Sequence, residues 1–141
     1  EARKRKVDPN RLIFAERLPL NKHLARHSLG DLALDTFNVN GATTTSDALW
    51  AGLPVLTKIG KSFPARLSAS LLTSIGLNEL ITYSESEYEE KALYIASNPE
   101  EVLTLKSKLN KLKETSPLYN SELFTRDLET KYIELVSSQS F

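Results

Sequence analysis

The chain has 141 residues, and its 18 basic and 18 acidic side chains cancel to a net charge of zero. A balanced charge disfavours a main role in binding nucleic acid or a membrane, and no apolar run approaches the roughly 18 residues that span a bilayer. The absence of cysteine excludes disulfides, a thiolate nucleophile and cysteine-based metal sites. We therefore expect one cytoplasmic domain. The opening EARKRKVDP, without methionine, indicates a piece of a larger polypeptide.

The hydrophobic pattern predicts short strands that alternate with helices. Strands are predicted at residues 12–14, 32–34, 55–57 and 80–82, and helices at residues 21–28, 44–51, 62–72, 84–97, from Pro99 to a break at 116–117, and at 121–136. Gly76 is expected to stop the third helix, and Ser84 or Ser86 to open the fourth through a capping box. Asn98 as cap and Pro99 as first residue are a strong start for the fifth, whose predicted apolar face has Val102, Leu105, Leu109 and Leu112 at three- and four-residue spacing. This order predicts an α/β fold whose parallel sheet is covered by helices on both faces.

The most informative stretch is VNGATTTSDALWAGLPVLT, residues 39–57. It reads as a loop that enters a helix through Gly41 and continues into a strand, with Trp50 in the core. A helix start offers unpaired N–H groups and a partial positive charge to anions. The hydroxyls of residues 43–45 can donate to phosphate oxygens, and Asp47 in the first turn can accept from a ribose. Thr and Ser are also ordinary helix caps, and spacing alone does not separate the two interpretations.

Two loops can contribute to one site. Residues 15–26 and 36–47 both follow predicted strands, and ligands of parallel sheets bind where loops leave the carboxyl ends of the strands. His23 is expected to face this crevice with Arg26 one turn on, although a solvated helix face is the alternative for Arg26. His23 and His27 stand four apart as in a metal site, but HLARH lacks the Glu and the third ligand of a zincin, so no metal is expected. The basic run at residues 3–6 suits a helix end, and no aromatic residues support nucleic-acid binding.

Three segments carry a family resemblance: PNRLIFAERLPLNKHLARHSLGDLALDTFNVNGATTTSDALWAGLPVLT, ARLSASLLTSIGLNELI and SPLYNSELFTRDLE. Over nearly the whole chain they resemble the catalytic region of protein O-GlcNAc transferases and their bacterial and Spindly-like relatives. The resemblance implies a GT-B glycosyltransferase with two Rossmann-like domains, often behind tetratricopeptide repeats. The chain, residues 1–141, would be most of the C-terminal domain, which binds the nucleotide sugar, with its last helix at about 121–136.

The resemblance also implies site residues. The family's contacts to base and ribose fall on Leu18, by its backbone, and on the side chains of His23 and Arg26. Its diphosphate loop falls on Thr43 and Thr44, and its ribose-binding Asp is Asp47. No catalytic residue can be named.

This chain departs from the family pattern at two positions. Ala42 stands where the family has a His before the two threonines, and Leu20 where animal enzymes have a ribose-contacting Lys. The family's phosphate-binding Lys and its N-terminal catalytic half would lie upstream of Glu1. We therefore expect this piece to be inactive alone and to bind nucleotide weakly.

The implied reaction is transfer of N-acetylglucosamine from UDP-GlcNAc to Ser or Thr of acceptor proteins. It needs no cofactor and no metal. GDP-fucose, used by the Spindly-like branch, is the alternative donor, and a non-catalytic interaction module is the alternative class. The apolar face predicted at residues 121–136 indicates self-association, because an uncovered apolar patch tends to find a partner.

Overall fold

A computed structural model of the protein describes residues 1–138. Its six α-helices within that range are α1 Leu20–His27, α2 Thr43–Trp50, α3 Leu67–Ile75, α4 Glu85–Ser97, α5 Pro99–Thr115 and α6 Ser121–Ser138. Its three strands are β1 Ala33–Leu34, β2 Val55–Lys58 and β3 Ile81–Thr82. Short 3₁₀ turns occur at Arg3–Arg5, Pro9–Arg11, Phe63–Arg66, Asn78–Leu80 and Pro117–Tyr119.

The strands form one parallel sheet in the order β1-β2-β3. Ala33 pairs with Val55, and Thr57 pairs with Ile81. Residues 55–57 of the central strand are all buried, although neighbouring residues of a strand point to opposite faces. Both faces of β2 are therefore covered, and the prediction of a parallel sheet between helices is confirmed.

The core lies where α2, α3 and α4 meet the sheet and α5 packs on those three helices. Three of its leucines, Leu49, Leu56 and Leu109, have no exposed surface, and burying such a side chain is worth about 1.5–3 kcal/mol. The predicted apolar face of α5 is confirmed, since Val102, Leu105 and Leu109 are its buried residues. Helix α6 has no buried residue, so its apolar side chains stay outside this core.

Several helix ends follow from local signals. Gly76 ends α3 with φ of +85°, a left-handed conformation that favours glycine. Ser84, rather than Ser86, opens α4, because its hydroxyl accepts the N–H of Glu87 at 3.1 Å. Asn98 was expected to cap α5, but its side-chain amide donates to the carbonyl of Tyr94 instead. Helix α3 begins later than predicted, because its first turn is the 3₁₀ turn Phe63–Arg66.

Two further sequence predictions about the fold are wrong. Residues 12–14 are extended but form no strand, and Ile13 and Phe14 are about nine-tenths exposed. A strand exists only with a partner for its backbone groups, and in the described part of the chain no strand pairs with this segment. Trp50 is 52% exposed rather than core, because it is the last residue of α2 and its ring packs edge-on against Tyr119, 5.0 Å between centroids.

Candidate functional site

The start of α2 is free of side-chain caps. Ala42 occupies the N-cap position, and within residues 1–138 the helix start has no side-chain cap. Thr43 and Thr44 form the first exposed turn, so a partial positive charge and two hydroxyls face solvent together. The interpretation of the threonines as simple caps is therefore not what the structure shows. The helix begins one residue earlier than predicted, which makes Asp47 its fifth residue, beyond the first turn.

Thr45 differs from its two neighbours. It is 4% exposed, and its hydroxyl lies 2.9 Å from that of Ser68 on α3. Ser68 donates its only hydroxyl proton to the carbonyl of Gly41 at 2.9 Å, so Thr45 must be the donor of the first bond. The expectation that all three threonine hydroxyls could face a phosphate is wrong for Thr45, because packing against α3 occupies it.

Asp35 binds the N–H of Gly41, whereas Ser68 binds its carbonyl. One carboxylate oxygen accepts the N–H of Gly41 at 2.8 Å, and the other accepts the hydroxyl of Thr57 at 2.6 Å. A Cβ on Gly41 would lie 2.5 Å from Oγ1 of Thr45 and 2.6 Å from Oγ1 of Thr44, closer than atoms can approach. Only glycine therefore lets the segment at residues 35–42, which we call the Gly41 loop, lie directly against the start of α2.

The Gly41 loop is also anchored on α4. The hydroxyl of Tyr88 donates to the carbonyl of Asp35 at 3.0 Å, and its ring meets Phe37 edge-on at 4.9 Å. Burial first, and the negative charge of Asp35 second, raise the pKa of Tyr88 to about 12. Asn40 is buried and donates to Thr36, but its side-chain oxygen lacks a partner among the described residues. The loop thus has a fixed conformation that includes one unsatisfied acceptor.

A second group of predicted residues lies around α1. Leu18, His23 and Arg26 line a cavity of about 540 Å³, together with residues 15–17 and Leu20. Arg26 donates to the carbonyl of Glu16 at 2.7 Å and so holds the extended segment against the helix. Thr43, Thr44 and Asp47 do not line this cavity. A cavity of about 580 Å³ between α3 and the ends of β2 and β3 contains none of the predicted site residues.

The two groups meet where α1 packs on α2. The charge of Asp47 acts on His27 and opposes the lowering of its pKa, which is caused first by burial and then by electrostatic interaction with His23 and Arg26. On its other side, Asp47 helps to raise the pKa of Tyr119, after burial, while the bond of that hydroxyl to the carbonyl of Ser46 at 2.9 Å opposes the rise. Asp47 on α2 is therefore near enough to the α1 group to influence the pKa of His27.

Comparison with known proteins decides the family. The model of the family described as Glycosyl transferase family 41 matches residues 1–128. The chain belongs to glycosyl transferase family 41. A tomato (Solanum lycopersicum) protein described as "Probable UDP-N-acetylglucosamine--peptide N-acetylglucosaminyltransferase SPINDLY" is 35% identical over 127 residues, which are 89% of this chain and 14% of that protein. A Caenorhabditis elegans UDP-N-acetylglucosamine--peptide N-acetylglucosaminyltransferase is 30% identical over 89% of this chain and 11% of its own length.

A solved structure agrees with the sequence relatives. A mutant of the Thermobaculum terrenum O-GlcNAc transferase superposes with a TM-score of 0.84 at 32% identity, over 92% of this chain and 25% of that one. The resemblance to O-GlcNAc transferases and the α/β fold are therefore confirmed. The chain spans about a seventh of the length of the tomato relative. None of the structure's helices within residues 1–138 is long and apolar enough to cross a membrane.

Sequence analysis missed three residues that hold or adjoin the candidate site. Asp35 follows β1 directly, and its place at the carboxyl end of a parallel strand was a usable signal. His27 was weighed only as a metal ligand, although it sits one turn from His23. Ser68 reaches Gly41 across 27 residues of sequence, so no local pattern could have indicated it.

Proposed function

We propose that this chain is the nucleotide-sugar-binding domain of a protein O-glycosyltransferase. The whole enzyme would transfer N-acetylglucosamine from UDP-GlcNAc to Ser or Thr hydroxyls of acceptor proteins. The observation that carries the proposal is the uncapped start of α2, held by Asp35 and Ser68, in a member of family 41. Three statements remain predictions. They are the cytoplasmic location, the single domain over residues 1–141, and the tetratricopeptide repeats in the whole enzyme.

The proposed diphosphate site is the start of α2. Thr43 and Thr44 would donate their hydroxyls, and the first N–H groups of the helix would complete the contact. As the bond between sugar and diphosphate breaks, negative charge grows on the leaving phosphate. Donors that are already in place stabilise that charge without reorganising, which is the contribution we assign to this domain. The proposal requires no metal and no cofactor.

The proposed base and ribose side is the cavity on α1. Both ring nitrogens of His23 have protein partners, so its ring face is the surface left for a ligand. Leu18 lines the same cavity, and its backbone N–H and C=O would bond to the base. Arg26 would contact the base or phosphate, and Asp47 would accept a hydrogen bond from the ribose.

The donor follows from the relatives. The tomato and nematode proteins are both described as acting with UDP-N-acetylglucosamine, which favours UDP-GlcNAc over GDP-fucose for this chain. A titration of the chain with UDP and with GDP, followed by backbone amide NMR shifts, tests the proposal. We expect UDP to shift residues 18–26 and 41–47, weakly and more than GDP does. Shifts that miss both segments, or none at millimolar UDP, would contradict it.

The same titration separates the enzyme from its rival, a module that has kept the fold and lost the chemistry. Leu20 and Ala42, at the two positions where family side chains would contact the nucleotide, favour the rival. A module of that kind would show no shifts in either segment. Turnover of UDP-GlcNAc by this chain alone would contradict our expectation that the piece is inactive by itself.

We also propose that α6 mediates self-association. Phe124, Tyr132 and Val136 are at least 60% exposed, and the main contact of the helix is with the turn Pro117–Tyr119. Sedimentation of the chain across a range of concentrations should show a dimer that Phe124→Ser with Val136→Ser abolishes. Arg126→Ser, on another side of the helix, should leave the dimer intact. A monomer at all concentrations would refute the proposal.

A further inference from the structure

Arg26 fixes which ring nitrogen of His23 carries the proton. A guanidinium nitrogen of Arg26 lies 2.8 Å from Nδ1 of His23. Arginine has only donors, so Nδ1 must accept and cannot hold a proton. A neutral imidazole has one N–H, and in His23 this N–H must therefore be at Nε2.

The neighbouring histidine receives that proton's hydrogen bond. Nε2 of His23 lies 3.4 Å from Nε2 of His27, one turn along the same helix, and the two rings meet edge-on with centroids 4.8 Å apart. Because Nε2 of His23 is the donor, Nε2 of His27 must be the acceptor. His27 is then neutral and carries its own proton at Nδ1. The two histidines of the chain hold opposite tautomers.

We infer that His27 is a positioning residue of the nucleotide crevice, which accepts from Nε2 of His23 and fixes the ring orientation and tautomer that His23 offers to the ligand. The inference rests on the proposed function for its consequence, since His23 is the residue that meets the nucleotide there. The hydrogen-bond relay from Arg26 through His23 to His27 is a separate claim, which can be tested without any ligand.

The relay exists only while both rings are neutral. A second proton on His27 would place two N–H groups against each other, and a second proton on His23 would oppose Arg26. The titratable and charged groups that face His27 are His23 and Arg26 on its own helix and Asp47 on α2, and the first two disfavour its protonation. Acidification should therefore break the relay at His27 and release His23 from its fixed orientation.

Imidazole nitrogen NMR on the free chain tests the relay directly, because the chain has two histidines and each nitrogen's shift reports whether it carries a proton. At neutral pH we expect His23 protonated at Nε2 and His27 at Nδ1. The same tautomer in both rings, or exchange between tautomers as in an isolated imidazole, would overturn the inference.

Substitutions at His27 separate positioning from simple packing. His27→Gln keeps a side-chain oxygen that can accept from His23, whereas His27→Ala removes the acceptor. We expect a slowly exchanging Nε2–H signal of His23 in the wild type and in His27→Gln, and its loss in His27→Ala. Ala25→Gln, on the exposed side of the same helix, should change nothing. An unchanged His23 signal in His27→Ala would show that His27 holds nothing.

The pH dependence of UDP binding tests the functional consequence. UDP itself gains a proton near pH 6, about as a phosphomonoester does, so His27→Gln measured beside the wild type is the reference. As the pH falls from about 7.5 to below the ordinary histidine range near 6.5, where the lowered pKa of His27 lies, wild-type affinity should fall several-fold more than that of His27→Gln. A wild-type affinity that rises relative to His27→Gln would overturn the inference. If neither protein binds UDP, the proposed function fails. The NMR measurement of the two tautomers in the free chain then still shows whether the hydrogen-bond relay exists.

Discussion

The Gly41 loop and the segment at residues 15–19 border the same proposed crevice, yet they are held very differently. In the Gly41 loop, the N–H of Gly41 is hydrogen-bonded to Asp35 and its carbonyl to Ser68. The hydroxyl of Tyr88 ties the loop to α4. The 15–19 segment is wholly exposed. Two hydrogen bonds tie it to α1, one from the N–H of His23 to the carbonyl of Pro19 and one from the side chain of Arg26 to the carbonyl of Glu16.

The difference matches what each side would have to do. Charge that develops on a leaving diphosphate is stabilised best by donors that need no rearrangement, so a fixed loop suits the phosphate side. A segment with few buried contacts opens locally at low cost, which allows it to close over a base after binding. We therefore expect substitutions in the Gly41 loop to affect both stability and catalysis, and substitutions near residues 15–19 to affect binding alone.

The largest expected effect comes from breaking the fixed side at Asp35. Asp35→Ala removes two charge-assisted hydrogen bonds and leaves the N–H of Gly41 and the buried hydroxyl of Thr57 unpaired, so unfolding should cost about 3 kcal/mol less. Urea denaturation measures it. Asp31→Ala is the control, because that carboxylate is exposed and pairs with Lys106 at the surface, worth about 1 kcal/mol or less. Equal stabilities of the two variants would remove the contrast on which the comparison depends.

The next effect is on catalysis in the full-length parent. Thr43→Ala with Thr44→Ala removes hydroxyl donors to the diphosphate, and Asp47→Ala removes the acceptor for the ribose. A lost hydrogen bond to a charged group costs about 1.5–3 kcal/mol, so each change should reduce the transfer rate about tenfold or more. Thr73→Ala, an exposed threonine of α3, should leave the rate unchanged. Wild-type rates in both altered enzymes would refute the assignment of the phosphate and ribose sides.

A smaller effect is expected at the segment of residues 15–19. Arg26→Ala removes the exposed hydrogen bond to the carbonyl of Glu16 and the half-buried one to Nδ1 of His23, so its cost in stability should be about 2 kcal/mol or less. Backbone order parameters should fall at residues 15–18 while those of Gly41 stay constant. The matched control is Arg66→Ala, since Arg66 is also exposed and also donates to a backbone carbonyl, that of Gly60 at 3.2 Å. If Arg66→Ala loosens residues 15–18 equally, Arg26 has no special role there.

Sequence reasoning succeeded where the cause is local. Gly76, Ser84 and the apolar spacing of α5 each act within one or two turns, and each produced the predicted helix end or face. The fold class followed from their order. The failures depend on partners that are distant in the chain. Residues 12–14 have strand composition but no strand beside them, and composition cannot report a missing partner.

The same distinction applies to the site. Thr43, Thr44 and Asp47 could be selected from the pattern of a loop entering a helix, and His23 with Arg26 from their place in the other loop. The side chains that fix these positions act across long separations, because Asp35 reaches Thr57 and Ser68 reaches Gly41 only once the sheet and α3 are in place. A pattern of neighbouring residues therefore identifies groups that can face a ligand, but not the groups that hold them.

The smallest expected effect is the pH dependence of stability on the α1 side. Burial, His23 and Arg26 lower the pKa of His27 in the folded chain, so the unfolded chain binds the proton more readily. Stability should therefore be unaffected above the ordinary histidine range and should fall as the pH drops through about 6.5 and below. Thermal unfolding of the wild type and of His27→Gln at matched pH isolates this contribution, because carboxylates titrate alike in both. We expect the melting temperature of the wild type to fall further than that of His27→Gln on acidification. If the two melting temperatures fall equally, the folded state tolerates a charged His27. In that case the contacts of His27 stabilise the α1 side no more at neutral pH than in acid.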